Sequence, residues 1–294
     1  MAIPCYRSDP EKLKSAVQSV LEQSSGDWTL HLVDGNQQPD PFLHQLVKRC
    51  SSSSVHYVRN ETDRSMAGNW NFAFASAKTE LVVLLHDDDF LAPDYISEMV
   101  DLTTRHPNAS AYFCDVNLVN DDGVKTSTLA DTIKSHIRPN TDEIELVGDS
   151  GLASLLKGCF IFCPTIVYRK SKLPNQPFDN TWQMVTDLQF YVQCLINNKS
   201  IVGTGKKLFY YRRHSCNQTA ILTDNLLRFK EELNLYDRLI PELTHAGWSR
   251  SLFHAKYKVI IRLHLLYRAT IELLKGRLSK VKQIIALAAS RRAR

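Results

Sequence analysis

The sequence predicts an α/β protein with a mostly parallel sheet and a helical C-terminal extension. Two patterns carry this prediction. Through the first hundred residues, short apolar segments alternate with segments whose apolar residues recur at helical spacing. Parallel neighbours need a crossover, so a strand–helix–strand–helix cadence packs as a largely parallel sheet. From Leu222 onward, every segment instead reads as helix. The 294 residues are 44% hydrophobic and 23% charged, which excludes wholesale disorder and a collagen repeat. The length suits one large domain plus an appendage, or two small domains, here read as 1–219 followed by a helical, basic region over 220–294.

Each element has a local reason. Ala2 to Tyr6 is short and apolar, and Asp9 to Gln23 sets Leu13, Ala16, Val17, Val20 and Leu21 at helical spacing. Thr29 to Val33 reads as a strand ending at the turn Asp34-Gly35-Asn36. Pro41 to Arg49 is helical with Phe42, Leu46 and Val47 on its apolar side, and Val55 to Val58 is a third strand. Ala67 to Ala77 carries Trp70, Phe74 and Ala77 on one stripe. Leu81 to Leu85 lacks alternation, as a strand buried on both faces does. Pro93 suits the first turn of a helix that runs to Arg105.

The middle is less regular. Ala109 to Cys114 reads as a strand, and Val116–Val119 and Val124–Thr128 flank the hairpin signature Asn120-Asp121-Asp122-Gly123. Leu152 to Leu156 is a short helix, Thr165 to Tyr168 a strand, Asp187 to Ile196 a helix and Leu208 to Arg212 the last strand. The helical remainder is expected to break near Pro241 and Gly247.

In parallel α/β sheets, ligands bind beyond the carboxyl ends of the strands. That rule points to Pro4-Cys5-Tyr6, to Asp34 and to His86-Asp87-Asp88-Asp89. Three consecutive carboxylates repel one another unless a cation or hydrogen-bond donors offset the charge. Oxygen ligands at such a place suit a hard divalent ion, Mg²⁺ or Mn²⁺, which commonly binds substrate phosphates as well. On local grounds a solvated acidic turn, with Asp89 or Asp94 capping the next helix, fits equally well.

The order of motifs separates these readings. A proline–tyrosine turn follows the first strand, then come Ser19-Val20-Leu21-Glu22-Gln23, Val33-Asp34-Gly35 and the acidic cluster after Leu81 to Leu85. Thr186-Asp187-Leu188-Gln189-Phe190 and Tyr211-Arg212-Arg213-His214 come later. From Ala2 to about Thr219 this resembles the family 2 glycosyltransferases, inverting enzymes of GT-A fold that use nucleotide-sugar donors. The resemblance implies a Rossmann-like nucleotide-diphospho-sugar transferase fold. It places Pro4, Tyr6 and Asp34 at the nucleobase and ribose, with Arg64, His86 and Asp87 also toward the nucleotide sugar. His86 stands where the family usually has the first aspartate of Asp-X-Asp, and Asp88 matches the final one, a ligand of the metal that bridges the diphosphate. His214 matches a histidine that completes that metal site in some members. Asp187 matches the catalytic base, for which helix capping is the plain structural alternative. Uridine is the commonest donor nucleotide in the family, so a UDP-sugar is expected.

Other features read as structural. Gly203-Thr204-Gly205-Lys206-Lys207 has the wrong spacing for a P-loop. Cys159 and Cys163 lack further zinc ligands and read as buried strand residues. Asp121 and Asp122 are ordinary turn residues. Trp182 and Gln183 fit either an acceptor pocket or the core.

Charge is unevenly distributed. Arg250 to Arg294 holds twelve basic residues against Glu272 alone, a net of +11, whereas the rest of the chain carries 24 basic and 30 acidic residues, a net of −6. In the tail, Ile260, Leu263, Tyr267, Ile271, Leu274, Leu278, Val281 and Ile285 recur every three or four residues. A basic amphipathic helix of this kind binds anionic membranes, and packing of the stripe on the body is the alternative. The seven cysteines form no paired framework, which favours a reducing compartment, and neither a secretory signal nor an apolar run of spanning length is seen. The expected protein is therefore a cytoplasmic enzyme, peripheral at the inner membrane face. The family resemblance, with the tail, implies that it transfers a hexose or deoxyhexose to a lipid-linked or saccharide acceptor in O-antigen, capsule or exopolysaccharide assembly. A nucleotidyltransferase would not need Asp187 and usually has a glycine-rich basic loop where Tyr6-Arg7-Ser8-Asp9 stands. A nucleic-acid-binding protein is disfavoured by the acidic body and the lack of a recognised motif.

Overall fold

The computed structural model describes residues 1–50, 52–214 and 218–290. Cys216 and the terminal basic residues Arg291, Arg292 and Arg294 lie outside the described residues.

The first half is a run of βα units. β1 (Ala2–Cys5), α1 (Pro10–Leu21), β2 (Leu30–Asp34), α2 (Pro41–Arg49), β3 (Val55–Arg59), α3 (Met66–Ser76) and β4 (Leu81–Val83) follow in order. Asp9, Asp40 and Ser65 cap α1, α2 and α3 with their side chains, and Pro10 and Pro41 supply the favoured first residue. β1, β2 and β3 pair in parallel, and a parallel bridge from Ala2 to Leu84 joins them to the β4 segment.

Beyond β4 come β5 (Phe90–Leu91), α4 (Tyr95–Arg105), β6 (Ala111–Val119), α5 (Leu129–Ile137), β7 (Glu143–Leu146), α6 (Gly148–Lys157), β8 (Val167–Arg169), α7 (Thr186–Ile196) and β9 (Ile201–Arg212). The strand order continues β4-β8-β6-β9-β5, with β7 also on β9. This half is mixed: β8 is antiparallel to both neighbours, and β5 and β7 are antiparallel to β9. Only β6 and β9 run parallel here, with register shifts around Asp115.

Alternation on the strands divides the core. On β6, Tyr112, Cys114 and Val116 join α1, α2 and α4 in one apolar cluster, while Ala111 and Phe113 join α3, α6 and α7 in the other. Gly203 on β9 lets the Phe113 ring pass, since a Cβ there would lie 2.1 Å from the ring. Gly203→Ala is expected to cost about 1–3 kcal/mol through overpacking, read as a lowered unfolding midpoint.

Sequence expectations change between α4 and β8. Val124–Thr128 makes a single bridge, Lys125 to Val119, and no strand; the turn at Asn120–Gly123 does form. The next residues form α5, started by a Thr128–Asp131 capping box, although Leu129 and Ile133 remain exposed. Cys159 and Cys163 lie in the connection between α6 and β8, not on strands.

The C-terminal region comprises α8 (Gln218–Asp224), α9 (Leu227–His245), α10 (Ser249–Tyr257), α11 (Val259–Leu274) and α12 (Leu278–Ala289). α9 runs through Pro241, and the break comes at Gly247, which has φ +69°. Phe229, Leu233, Leu235, Tyr236, Leu239 and Leu243 of α9 share the core cluster of α6 and α7. In α11, Ile261, Leu265 and Ala269 are buried, whereas Leu263 (55% exposed), Tyr267 (45%) and Leu274 (84%) face outward. The apolar stripe expected from spacing is thus the outer face over much of α11. No helix among the described residues is long and apolar enough to cross a membrane.

Glu272, fully buried, is the tail's acidic residue and gathers Arg268, Lys275, Arg277 and Lys280 at 3.2–4.0 Å. Glu272→Gln should loosen the α11–α12 hairpin by about 1–2 kcal/mol, since its cationic partners remain partly solvated. Faster amide exchange confined to α12 would show this.

Candidate active site

The carboxyl end of β4 delivers His86-Asp87-Asp88-Asp89 through buried Leu84 and Leu85. The segment is held from behind by α1. Ser19 accepts the Leu91 N–H, and Gln23 bonds both Ala92 O and Ile96 N.

The four side chains then enter different environments. The His86 ring tilts against Trp70 of α3 with centroids 5.5 Å apart, and burial lowers its pKa against the opposing pull of Asp88. Asp87 accepts a hydrogen bond from Ser8, and burial still pushes it up to about 6. Asp88 lies 2.8 Å from His214 Nε2. Burial opposes its ionisation, but the His214 bond and the charges of His86 and His214 hold its pKa below the ordinary value. Asp89 accepts the Arg212 N–H at 2.7 Å, yet its Oδ2 is buried without a hydrogen-bond partner. Burial and neighbouring Asp88 push Asp89 well up.

His86, Asp88 and Asp89 each offer a ligand atom, all within 4.8 Å of one another. An orphaned buried carboxylate oxygen beside two further hard donors fits a divalent cation, which would relieve both the repulsion and the unmet oxygen. Neither Asp89 nor Asp94 caps α4 with its side chain, so the solvated-turn alternative has no geometric counterpart.

The remaining donor-side candidates gather at the edge of β1-β2-β3. Pro4 pairs with Val33, and Tyr6 is half exposed with the Arg7 guanidinium over its ring. Asp34 is fully buried; it accepts from Asn36, Asp40 and Tyr57 and pairs with Arg59 at 3.0 Å. Asp34 thereby shapes the 35–40 loop. Arg64 donates to Asn60 O and, beside Arg59, to Gln37 O. The Ser8–Asp87 bond ties this edge to the acidic cluster.

Asp187 stands elsewhere, as the second residue of α7. Its carboxylate accepts the Leu188 N–H at 2.8 Å. Burial raises its pKa, opposed by the Leu188 bond and by Lys134. The preceding backbone is fixed from α9: the N–H groups of Gln183, Met184 and Val185 donate to Glu231 at 2.7–3.2 Å. Glu231 and Asp187 thus share the backbone N–H groups at the start of this helix, Asp187 taking that of Leu188. Trp182 is buried with Arg238 over its ring, a core position.

The sequence included Asp89 in the carboxylate run suited to a cation and Arg212 in the Tyr211–His214 motif, but gave neither a specific role. Ser8, Glu231 and Lys134 carried no signal, since they are recruited from distant segments.

The α/β sheet with a His/Asp cluster at the end of its fourth strand has the arrangement expected of a GT-A fold. The chain matches the model of Glycosyl transferase family 2 over residues 1–166 and belongs to that family. It is 26% identical over 157 residues to the uncharacterized protein y4gI of Sinorhizobium fredii, covering 53% of this chain and 16% of that one. It is 19% identical over 224 residues to the bifunctional glycosyltransferase pgtA of Dictyostelium discoideum, covering 68% of this chain and 29% of that one. The chain therefore spans less than a third of either curated relative. Among solved structures, S. aureus TarS 1–349 is similar with TM-score 0.61 at 16% identity, covering 87% of this chain and 69% of that one. The complex of that protein with UDP-GlcNAc gives TM-score 0.59 at 16% identity, covering 79% and 64%. At that identity the likeness establishes the shared fold.

Proposed function

We propose that this family member transfers a sugar, a hexose or deoxyhexose, from a UDP-sugar to an acceptor hydroxyl with inversion at the anomeric carbon. The carrying observation is the His86/Asp88/Asp89 cluster with its unmet Asp89 oxygen, next to a loop edge suited to a nucleotide. The UDP-GlcNAc complex of a protein with the same fold supports the donor class. Asp88 and Asp89 would hold Mg²⁺ or Mn²⁺, with His86 beside them and His214 steadying Asp88. Such an ion, when bound, neutralises charge on the diphosphate. Pro4, Tyr6, Asp34 and Arg64 form the nucleoside end, and Asp87 orders the loop through Ser8. Asp187 accepts the acceptor's hydroxyl proton as that oxygen attacks the anomeric carbon. UDP release measured across UDP-sugars, with either metal and with chelator, tests the donor class. The anomeric configuration of the product, read by NMR, tests inversion. Release only from a non-nucleotide donor would end this reading.

The acceptor in this proposal is lipid-linked or a saccharide in surface polysaccharide assembly, reached at the inner face of the cytoplasmic membrane. The outer face of α11 supports it, because Val259, Leu263, Leu266, Tyr267, Leu273 and Leu274 are all exposed. Leu278 and Ile285 of α12 are exposed too. Among the described tail cations, Arg250, Lys256 and Lys282 have no carboxylate within ion-pair distance and remain available to anionic lipid. Apolar insertion supplies most of the attraction, at about 1.5–3 kcal/mol per buried leucine against about 1 kcal/mol per cation. Leu263→Glu combined with Leu274→Glu should release the protein from anionic vesicles while UDP affinity and the unfolding midpoint hold. Undiminished vesicle binding would remove this face as the contact. Truncation before Arg250 is the poorer test, since it also strips Ile261 and Leu265 from the core.

A further inference from the structure

Lys134 is the charged group near Asp187 that the proposed mechanism leaves unused. It lies on α5, and its ammonium sits 4.5 Å from the centre of the Phe162 ring. One turn earlier on α5, Asp131 pairs with Arg213, whose guanidinium lies over the rings of Tyr211 and Phe162 at 4.8 and 6.0 Å. Arg228, another charge acting on Lys134, pairs with Glu232 at 3.0 Å. Among the described residues, no carboxylate comes within ion-pair distance of the Lys134 ammonium. The charges acting on it are Arg228, Arg213 and Asp187, with the Cys159 thiol nearby, and burial is the largest influence, lowering its pKa.

Charge accounting around Asp187 follows. Arg213 and Arg228 are each neutralised by their own carboxylate. Lys134 and Asp187 remain, and each is among the charges that act on the other. When Asp187 takes a proton it becomes neutral, and the half-buried Lys134 then keeps a charge with no carboxylate of its own among the described residues. An anionic group supplied by the substrate would offset that charge throughout the step.

We propose that Lys134 is the seat of an anionic group, a phosphate or carboxylate, carried by the acceptor beside its reacting hydroxyl. The proposal rests on Asp187 being the base. In the step, the hydroxyl proton passes to Asp187 and the oxygen's electron pair forms the new bond to the anomeric carbon. The bond from that carbon to the diphosphate breaks, and its electron pair leaves with the diphosphate. Lys134 stays paired with the acceptor's anion. In this proposal the donor's diphosphate lies instead at the His86/Asp88/Asp89 cluster. The aromatic wall of Phe162 holds the ammonium in place without consuming its charge.

The test uses the full chain saturated with UDP and Mn²⁺, with glycerol phosphate and glycerol as probes of the acceptor side. Ligand-detected NMR titration should show glycerol phosphate binding to wild type and on the order of tenfold weaker binding to Lys134→Met. Lys134→Arg should restore most of it, glycerol should bind all three alike, and UDP affinity should not move. UDP affinity that falls in step with glycerol phosphate would assign the cation to the donor's diphosphate and overturn the proposal. So would glycerol phosphate binding that is absent from wild type or unchanged in Lys134→Met. Failure of wild type to bind UDP at all would sink the nucleotide-sugar reading, and this proposal with it. Matching unfolding midpoints for the three proteins exclude a folding defect as the cause.

Discussion

Asp187→Asn is expected to abolish measurable transfer while UDP affinity stays near wild type. The amide keeps the shape and the bond from Leu188 N–H but cannot take a proton. Loss of a general base costs about 10²- to 10⁴-fold in rate. A pH signature accompanies it. Burial raises the pKa of Asp187 above the ordinary carboxylate value, with Lys134 opposing. The base works only when deprotonated, so kcat/KM should be full above that raised pKa and fall as pH drops through it. The acid limb will therefore lie above the position of an unperturbed aspartate. Calorimetry with UDP and transfer rates across pH check both statements. Donor affinity lost in proportion to transfer would move Asp187 into the nucleotide site.

The second large effect concerns the cation cluster. Asp88→Asn removes the carboxylate that His214 and His86 hold ionised. If that charge holds the ion at the diphosphate, the rate should fall about 100-fold or more, because metal charge stabilisation supplies several kcal/mol. Chelation should imitate the variant, and added Mn²⁺ or Mg²⁺ should rescue wild type far better than Asp88→Asn. Asp89→Asn refines the assignment. An amide at Asp89 can still accept the Arg212 N–H through its oxygen, so a comparable loss would trace to the unmet Oδ2. Normal turnover in Asp88→Asn with no response to chelator would show that the cluster serves folding alone.

The ease of reading the chain follows the range of the interactions. The N-terminal units were legible because each depends on neighbours within a few residues: Pro41 and Asp40 start α2, Ser65 starts α3, and Leu81 to Leu85 carries its burial in composition. α5 was missed although Leu129, Ile133 and Ile137 recur every four residues after a Thr128–Asp131 capping box; the segment before it reads as the return strand of a hairpin, and a nine-residue stripe is short evidence for a helix. β7 is a four-residue alternation, too short to stand out. The helix through Pro241 persists because the buried residues of α9 on either side, Leu239 and Leu243, are held in the core.

The sequence by itself determined the alternating βα units, the helical C-terminal region, the carboxylates at the end of the fourth strand, and the tail's periodicity and charge. These are properties of spacing, and spacing is local. Only the tertiary structure decided how those parts face one another. It placed β8 antiparallel between β4 and β6, which makes half the sheet mixed. It separated the three aspartates, giving Asp87 to Ser8, Asp88 to His214 and Asp89 to the Arg212 backbone. It brought Glu231 to the backbone before Asp187, and Lys134 into reach of its charge. It also turned Ile261, Leu265 and Ala269 inward and left Leu263 and Leu274 in solvent, a choice periodicity could not make because both faces of α11 are apolar. Which face is buried, and which carboxylate meets which partner, depends on long-range packing and strand register.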